Sequence, residues 1–383
     1  MRGHSHDFLR RLPDSHHHFR RSSGIWQRLH MDPVLLLGLV LLTVYGLVVL
    51  YSGGGQNGYY IKRQMAFFAV AYAGMLVVAQ VQVRVFQRWA LRFYIGGVIL
   101  LIFVLLAGVG AKGAQRWIGL GFIRFQPAEL LKVAVPMLVA SYFSTRMLPP
   151  RFRHVITCLA LIGLPAVLIV KQPDLGTAIL VIASGLIGLF LAGLPWRYVI
   201  GTLAAVLASI WPMWHFVMHD YQKQRVLTLL HPEADPLGAG WNIIQSKTAI
   251  GSGGLTGKGW LNGTQSHLDF LPESHTDFII AVLAEEFGLI GVLLLLGLYL
   301  LLIGRGLVIA LGAQDTFSRI LAGSITLTFS VYVFVNIGMV AGLLPVVGVP
   351  LPLVSLGGTS LVSIMVSFGI LMAIGTDRRK VTV

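Results

Sequence analysis

Charge is scarce in this chain: only 11% of its 383 residues are Asp, Glu, Lys or Arg, against roughly 25% in a soluble domain. That excludes an ordinary soluble enzyme. Cysteine is scarcer still, since the one thiol, Cys158, lies inside an apolar segment. There is no disulfide framework, thiolate metal cluster or CxxC redox pair, and Cys158 reads as a small core residue. Acidic residues are few, 15 against 29 Lys+Arg, for a formal charge of +14. What fills the space is apolar: 56% of the residues are hydrophobic and the mean hydropathy is +0.78.

Apolar stretches fall at 34–51, 64–81, 93–110, 127–143, 155–170, 174–192, 198–218, 277–303, 320–341 and 353–374, each near the roughly 20 residues that a bilayer core requires. The expected fold class is an all-α polytopic integral membrane protein with ten transmembrane helices. With the N-terminus inside, the inner segments hold eighteen Lys+Arg and the outer ones ten. The positive-inside rule then places both termini in the cytoplasm and explains the basic excess without a nucleic-acid partner. The organisation expected is a basic cytoplasmic tail over 1–33, a ten-helix membrane domain over 34–374, and a basic cytoplasmic tail over 375–383. The first tail carries His16-His17-His18 but no apolar core and cleavage site of a signal peptide, and it reads as solvated.

One connection is long. Residues 218–276 form a large extracytoplasmic loop between spans seven and eight, and a loop of that length is usually functional or disordered. Trp241, Ile243, Ile244 and Trp260 make it too apolar for a disordered linker. Short helices and turns folded over the outer face are expected.

Ionisable residues at membrane depth cost several kcal/mol unless paired or facing water, so each is a candidate for function. Glu129 and Lys132 sit at i and i+3 on the helix opened by Pro127. They form either a neutral pair that fixes helix packing or, with Arg116, a cationic site for an anionic group. Asp277 opens span eight. It reads either as part of a helix cap, with Thr276, or as a general base tuned by the neighbouring Glu273 and His275. Glu285 and Glu286 lie deeper and read as structural. Lys171-Gln172-Pro173-Asp174 is a natural helix start, with Asp174 a second acidic candidate at the outer cavity. No spacing of ligands calls for a metal, so the metal expectation is none.

Two glycine-rich stretches complete the inventory. Gly251–Gly259 lacks the GxxxxGK[ST] pattern of a nucleotide loop, yet its glycines with Lys258 can bring backbone amides close to a phosphate or sugar. Leu344–Ser360 combines three prolines with several glycines beside a membrane segment. Non-helical backbone there is expected to line a cavity.

These motifs, KGAQRW at 112–117, QPAELLK at 126–132, QPDLGTA at 172–178, DPLGAGWNIIQS at 235–246, IGSGGLTGKGW at 250–260, GTQSHLDFLPESHTDFI at 263–279 and LPVVGVPLPLVSLGG at 344–358, resemble those of the SEDS (shape, elongation, division and sporulation) family. The GTQS and LPVVGVPLPLVS segments are similar to its elongation branch rather than its division branch. A small departure is Leu356, where many members carry tyrosine. The resemblance implies a peptidoglycan glycosyltransferase in the bacterial cytoplasmic (inner) membrane, polymerising lipid II on the extracytoplasmic side. It implies a catalytic aspartate at Asp277, a membrane ion pair at Glu129 and Lys132 and a functional loop arginine at Arg116. The partners implied are a class B penicillin-binding protein (PBP2-type transpeptidase) and the MreB, MreC and MreD elongation complex. On that reading Arg116, Lys132 and Lys258 hold the pyrophosphate, Glu129 orients Lys132, and His275 or Glu273 positions Asp277. A divalent cation (Mg2+ or Mn2+) is an optional cofactor, testable with chelator. The rival readings are a lipid II flippase, which uses the same charges to shield a head group, and a non-catalytic scaffold for the penicillin-binding protein.

Overall fold

The first helix starts where Asp32 accepts hydrogen bonds from Val34 N (3.1 Å) and Leu35 N (3.0 Å) and Pro33 presets the first turn. The same carboxylate binds Arg305, with Nη2 to Oδ2 at 2.6 Å, tying the chain's first span to a later one. The computed structural model describes residues 29–111, 114–120, 123–218, 239–267 and 274–377, and positions 223, 227, 228 and 233. Its described α-helices are α1 (Pro33–Gly53), α2 (Gly58–Ala79), α3 (Val83–Ala107), α4 (Pro127–Ser144), α5 (Phe152–Val170), α6 (Leu175–Leu191), α7 (Trp196–Pro212), α8 (Ala239–Gly253), α9 (Thr264–His267), α10 (Ile279–Gly312), α11 (Thr316–Val340) and α12 (Thr359–Thr376).

Each of the ten apolar stretches overlaps one of these helices. Seven, namely α1, α2, α3, α5, α10, α11 and α12, are long and apolar enough to cross a membrane; α6 is apolar but shorter, and Glu129 and Lys132 dilute α4. The chain is a multi-pass helical membrane protein. Of these seven long apolar helices the most enclosed is α11, with 67% of its apolar window buried against 22% for α2. Packed against α4, α6, α10 and α12, α11 is the post around which the site is built.

Three features depart from the expectations above. First, the fold is not purely helical: residues 109–125 hold an antiparallel meander, β1 (Val109–Ala111), β2 (Ala114–Leu120) and β3 (Ile123–Phe125), in the order β1-β2-β3. Its registers pair Gly110 with Gln115 and Gly119 with Arg124. β1 and β3 have three residues each and β2, AQRWIGL, does not alternate apolar with polar side chains, so no period-2 pattern marks the stretch and it reads as a loop. Second, α3 begins at Val83, so Arg84, Arg88 and Arg92 lie on a helix rather than a connection.

The third departure is in α10, which is broken at Gly288 (φ 63, ψ −161). There the 254–259 loop supplies the hydrogen bonds that the helix loses: Leu289 N donates to Gly254 O (3.0 Å), Ile290 N to Leu255 O (3.1 Å), Lys258 N to Glu285 O (3.0 Å) and Gly259 N to Glu286 O (2.9 Å). Gly257 (φ +79) has to be glycine, because a Cβ there would sit 2.1 Å from Glu286 O.

Candidate active site

Four parts of the chain converge beside α11. The meander brings Arg116 and Trp117, the N-terminal turn of α4 brings Glu129 and Lys132, the turn into α6 brings Asp174, and the stretch before α10 brings Asp277. With Gln126, Tyr332 and the 348–350 and 356–360 backbone they line a cavity of about 240 Å³. A second cavity, of about 500 Å³, shares Arg116, Asp174, Thr276, Asp277 and Gly348 and adds Asn242 of α8. The two form one groove.

Its charges are held in place by short contacts. Lys132 Nζ lies 2.7 Å from Glu129 Oε1 and 5.0 Å from the centroid of the Tyr332 ring. Ser363 donates to the other Glu129 oxygen at 2.7 Å. Both charged side chains are buried, yet both border the cavity. Arg116 donates from Nε to Gln172 O (3.2 Å) and from Nη2 to Pro173 O, and its Nη1 stands 3.8 Å from Asp174 Oδ1. Asp174 is the N-cap of α6, accepting from Thr177 N at 3.3 Å, while Gln126 donates to its Oδ2 at 2.8 Å. The guanidinium is thus fixed against the 172–174 turn, with about a third of its side chain still exposed. A fixed, planar cation at a cavity wall is suited to phosphate oxygens.

Asp277 stands outside the helix ladder, since α10 begins at Ile279 with Phe278 as its N-cap residue and no side-chain cap hydrogen bond. The N-cap position itself is thus Phe278 rather than Thr276 or Asp277. A Cβ built on Gly348 (φ +73) would lie 3.6 Å from Asp277 Oδ2, so the carboxylate faces the 348–350 wall. A carboxylate, an arginine and a lysine around one groove can take a proton at one end and stabilise an anion at the other.

The comparisons with known proteins decide the family. The FTSW_RODA_SPOVE family model, described as "Cell cycle protein", matches residues 29–380. The chain belongs to that family. It is 54% identical, over 93% of its length and 96% of the relative's, to the peptidoglycan glycosyltransferase MrdB of Escherichia coli K12. It is 38% identical to a probable peptidoglycan glycosyltransferase FtsW of Trichlorobacter lovleyi, over 90% of this chain and 92% of that one. Among solved structures, a chain from "Structural coordination of polymerization and crosslinking by a peptidoglycan synthase complex" superposes with TM-score 0.81 at 30% identity, covering 91% of this chain and 98% of that one. The Thermus thermophilus rod shape determining protein RodA superposes with TM-score 0.70 at 27% identity, with the same coverage.

Within this family member the groove gathers five of the eight candidate residues: Asp277, Arg116, Lys132, Glu129 and Asp174. Two others lie elsewhere. Lys258 lines neither cavity; its Nζ is 2.7 Å from Glu285 Oε1 and 2.8 Å from Thr264 Oγ1. His275 stacks on Tyr60, with ring centroids 4.9 Å apart, and its carbonyl accepts from Leu356 N at 2.9 Å. Glu273, Lys112, the N-terminal histidine run and most of 218–238 lie outside the described residues. Among the described residues no group of three or more His, Cys, Asp or Glu is arranged to hold a metal. The carboxylates that border the groove alongside Asp277 are committed to protein partners: Asp174 to Gln126 and Thr177, and Glu129 to Lys132 and Ser363. That donor set does not fit a resident divalent cation.

Sequence reasoning missed the neutral polar residues that organise the groove. Gln126, just before Pro127, holds Asp174. Gln64 of α2, fully buried, donates to Ser355 O (3.1 Å) and accepts from Gly357 N (3.1 Å). Asn336 of α11, also fully buried, donates to Asp277 O (2.9 Å) and Val349 O (2.7 Å). Extending the membrane-depth rule from charged to amide side chains finds Gln64 and Asn336.

Proposed function

We propose that this chain is a peptidoglycan glycosyltransferase that polymerises lipid II into β-1,4-linked glycan during cell elongation. The observation that carries the reading is the convergence of Asp277 with Arg116 and Lys132 on one groove, together with 54% identity to a protein of that activity. Lipid II presents a disaccharide-peptide on a polyprenyl pyrophosphate. Its polymerisation needs a base at a sugar hydroxyl and cations at the leaving group.

In this mechanism Asp277 takes the proton from the 4-hydroxyl of an acceptor GlcNAc as that oxygen attacks C1 of the donor MurNAc. The C1–O bond to pyrophosphate breaks, the configuration at C1 inverts and polyprenyl pyrophosphate leaves. General-base help of this kind is typically worth about 10²–10⁴-fold. Arg116 and Lys132 stabilise the developing pyrophosphate charge, and Glu129 with Ser363 fixes Lys132. Titrating chelator against the wild-type rate tests whether a divalent cation contributes.

The proposal includes ten spans with both termini cytoplasmic, as the Lys+Arg distribution favours. The groove and the 218–276 loop then face the extracytoplasmic side of the bacterial inner membrane. A class B penicillin-binding protein that cross-links the new strand is the expected partner, in an assembly with MreB, MreC and MreD. The test is glycan formation from labelled lipid II by the chain with a partner free of glycosyltransferase activity, comparing wild type with Asp277→Ala. Polymer from the wild type and none from an equally folded variant supports the reading. Equal polymer from both removes Asp277 from the chemistry. Head-group movement in liposomes without new glycosidic bonds makes the chain a flippase, and neither activity makes it a scaffold.

A further inference from the structure

Asp277 reaches the groove from a short non-helical stretch, so no helix ladder fixes where its carboxylate points. Among the contacts that tether that stretch, three reach its carbonyls. Ser355 Oγ donates to Thr276 O (2.5 Å), Leu356 N to His275 O (2.9 Å), and Asn336 Nδ2 to Asp277 O (2.9 Å). Of these, Asn336 is the one that touches the aspartate's own peptide. Its amide nitrogen also donates to Val349 O at 2.7 Å, beside the Gly348 position that faces Asp277 Oδ2.

We infer that Asn336 is a positioning residue for Asp277, its side-chain amide tying the aspartate's peptide to the Gly348–Val349 wall and setting where the carboxylate stands in the groove. The inference rests on Asp277 being the general base. Packing alone does not account for an asparagine here. The residue is fully buried in a heavily enclosed helix, where leucine offers the same branching and the same number of side-chain heavy atoms. Its Oδ1 is buried and has no hydrogen-bond partner among the described residues, an arrangement that works against stability. What the amide provides is a single nitrogen with two N–H groups, which fixes two carbonyls from two different segments at one distance.

The test uses the full-length protein with its transpeptidase partner. Initial rates with lipid II, normalised to folded protein, are measured for wild type, Asn336→Leu, Asn336→Ser and Asp277→Ala. Asn336→Leu removes both donors, and kcat is expected to fall about 10–100-fold, the scale of an ångström-sized misplacement, with KM within about twofold of wild type. Asn336→Ser keeps one hydroxyl donor and is expected to fall between the two. A purely structural role lowers the yield of folded protein and leaves kcat of the folded fraction unchanged. Should Asn336→Leu fail to accumulate, Asn336→Ser decides: reduced kcat at unchanged KM supports positioning. Wild-type kcat, or a raised KM with wild-type kcat, overturns it. If Asn336 variants keep wild-type kcat while Asp277→Ala is inactive, the positioning role alone fails. If Asp277→Ala polymerises at the wild-type rate, both readings fail.

Discussion

Lys132 and Glu129 meet at 2.7 Å with both side chains more than nine-tenths buried, and they do so at the wall of the groove rather than deep between helices. The pair is neutral as a unit, which lets it exist at membrane depth, while the ammonium still borders the space in which a leaving group would sit. One geometry is compatible with both interpretations of this pair, the structural and the functional.

Lys132→Met leaves the Glu129 carboxylate buried without its cation, an effect of about 3–5 kcal/mol for a pair of this kind. Thermal unfolding of the purified variant should show that loss. Adding Glu129→Gln removes the orphaned charge and should restore most of the midpoint without restoring glycan synthesis. A double variant both stable and active would exclude Lys132 from pyrophosphate stabilisation.

Arg116→Lys keeps the charge but loses the fork that reaches Gln172 O, Pro173 O and Asp174 together. A lysine head has no planar geometry to hold against that turn. We expect kcat/KM for lipid II to fall about tenfold or more, with the unfolding midpoint close to wild type because the side chain is partly exposed. Rates at several lipid II concentrations provide the check.

Lys258→Met tests a residue that the structure places outside the groove. Its partner Glu285 keeps hydrogen bonds from Thr264 N (2.8 Å) and Gln265 N (3.0 Å), so the loss should be partial, about 1–3 kcal/mol. The KM for lipid II of the folded fraction should not change. A KM raised several-fold at normal stability would return Lys258 to the substrate site.

The apolar helices were legible because a bilayer imposes one length and one composition on a crossing. The charged candidates were legible for the same reason: Glu129, Lys132 and Asp277 stand out against an apolar background. Lys258 was misplaced because a glycine-rich loop with a lysine looks alike whether it meets a phosphate or the broken end of a helix. The meander was hidden by two three-residue strands and a middle strand without alternation. Asn336 and Gln64 were passed over because an amide carries no charge to draw attention, although a buried amide has the same need for partners.

The break at Gly288 bears on how the protein enters the membrane. Residues 289–312 follow the break as a helix about 36 Å long at 1.5 Å per residue, apolar except for Arg305, enough to be recognised as a span without help. Residues 279–287 carry Glu285 and Glu286, whose partners Lys258, Thr264 and Ser52 come from segments made earlier in the chain. The glutamate-bearing half is thereby dependent on earlier segments: its carboxylates find these partners only once the preceding loop and α1 are in place. A folding defect in that loop should therefore appear as a misplaced N-terminal half of α10.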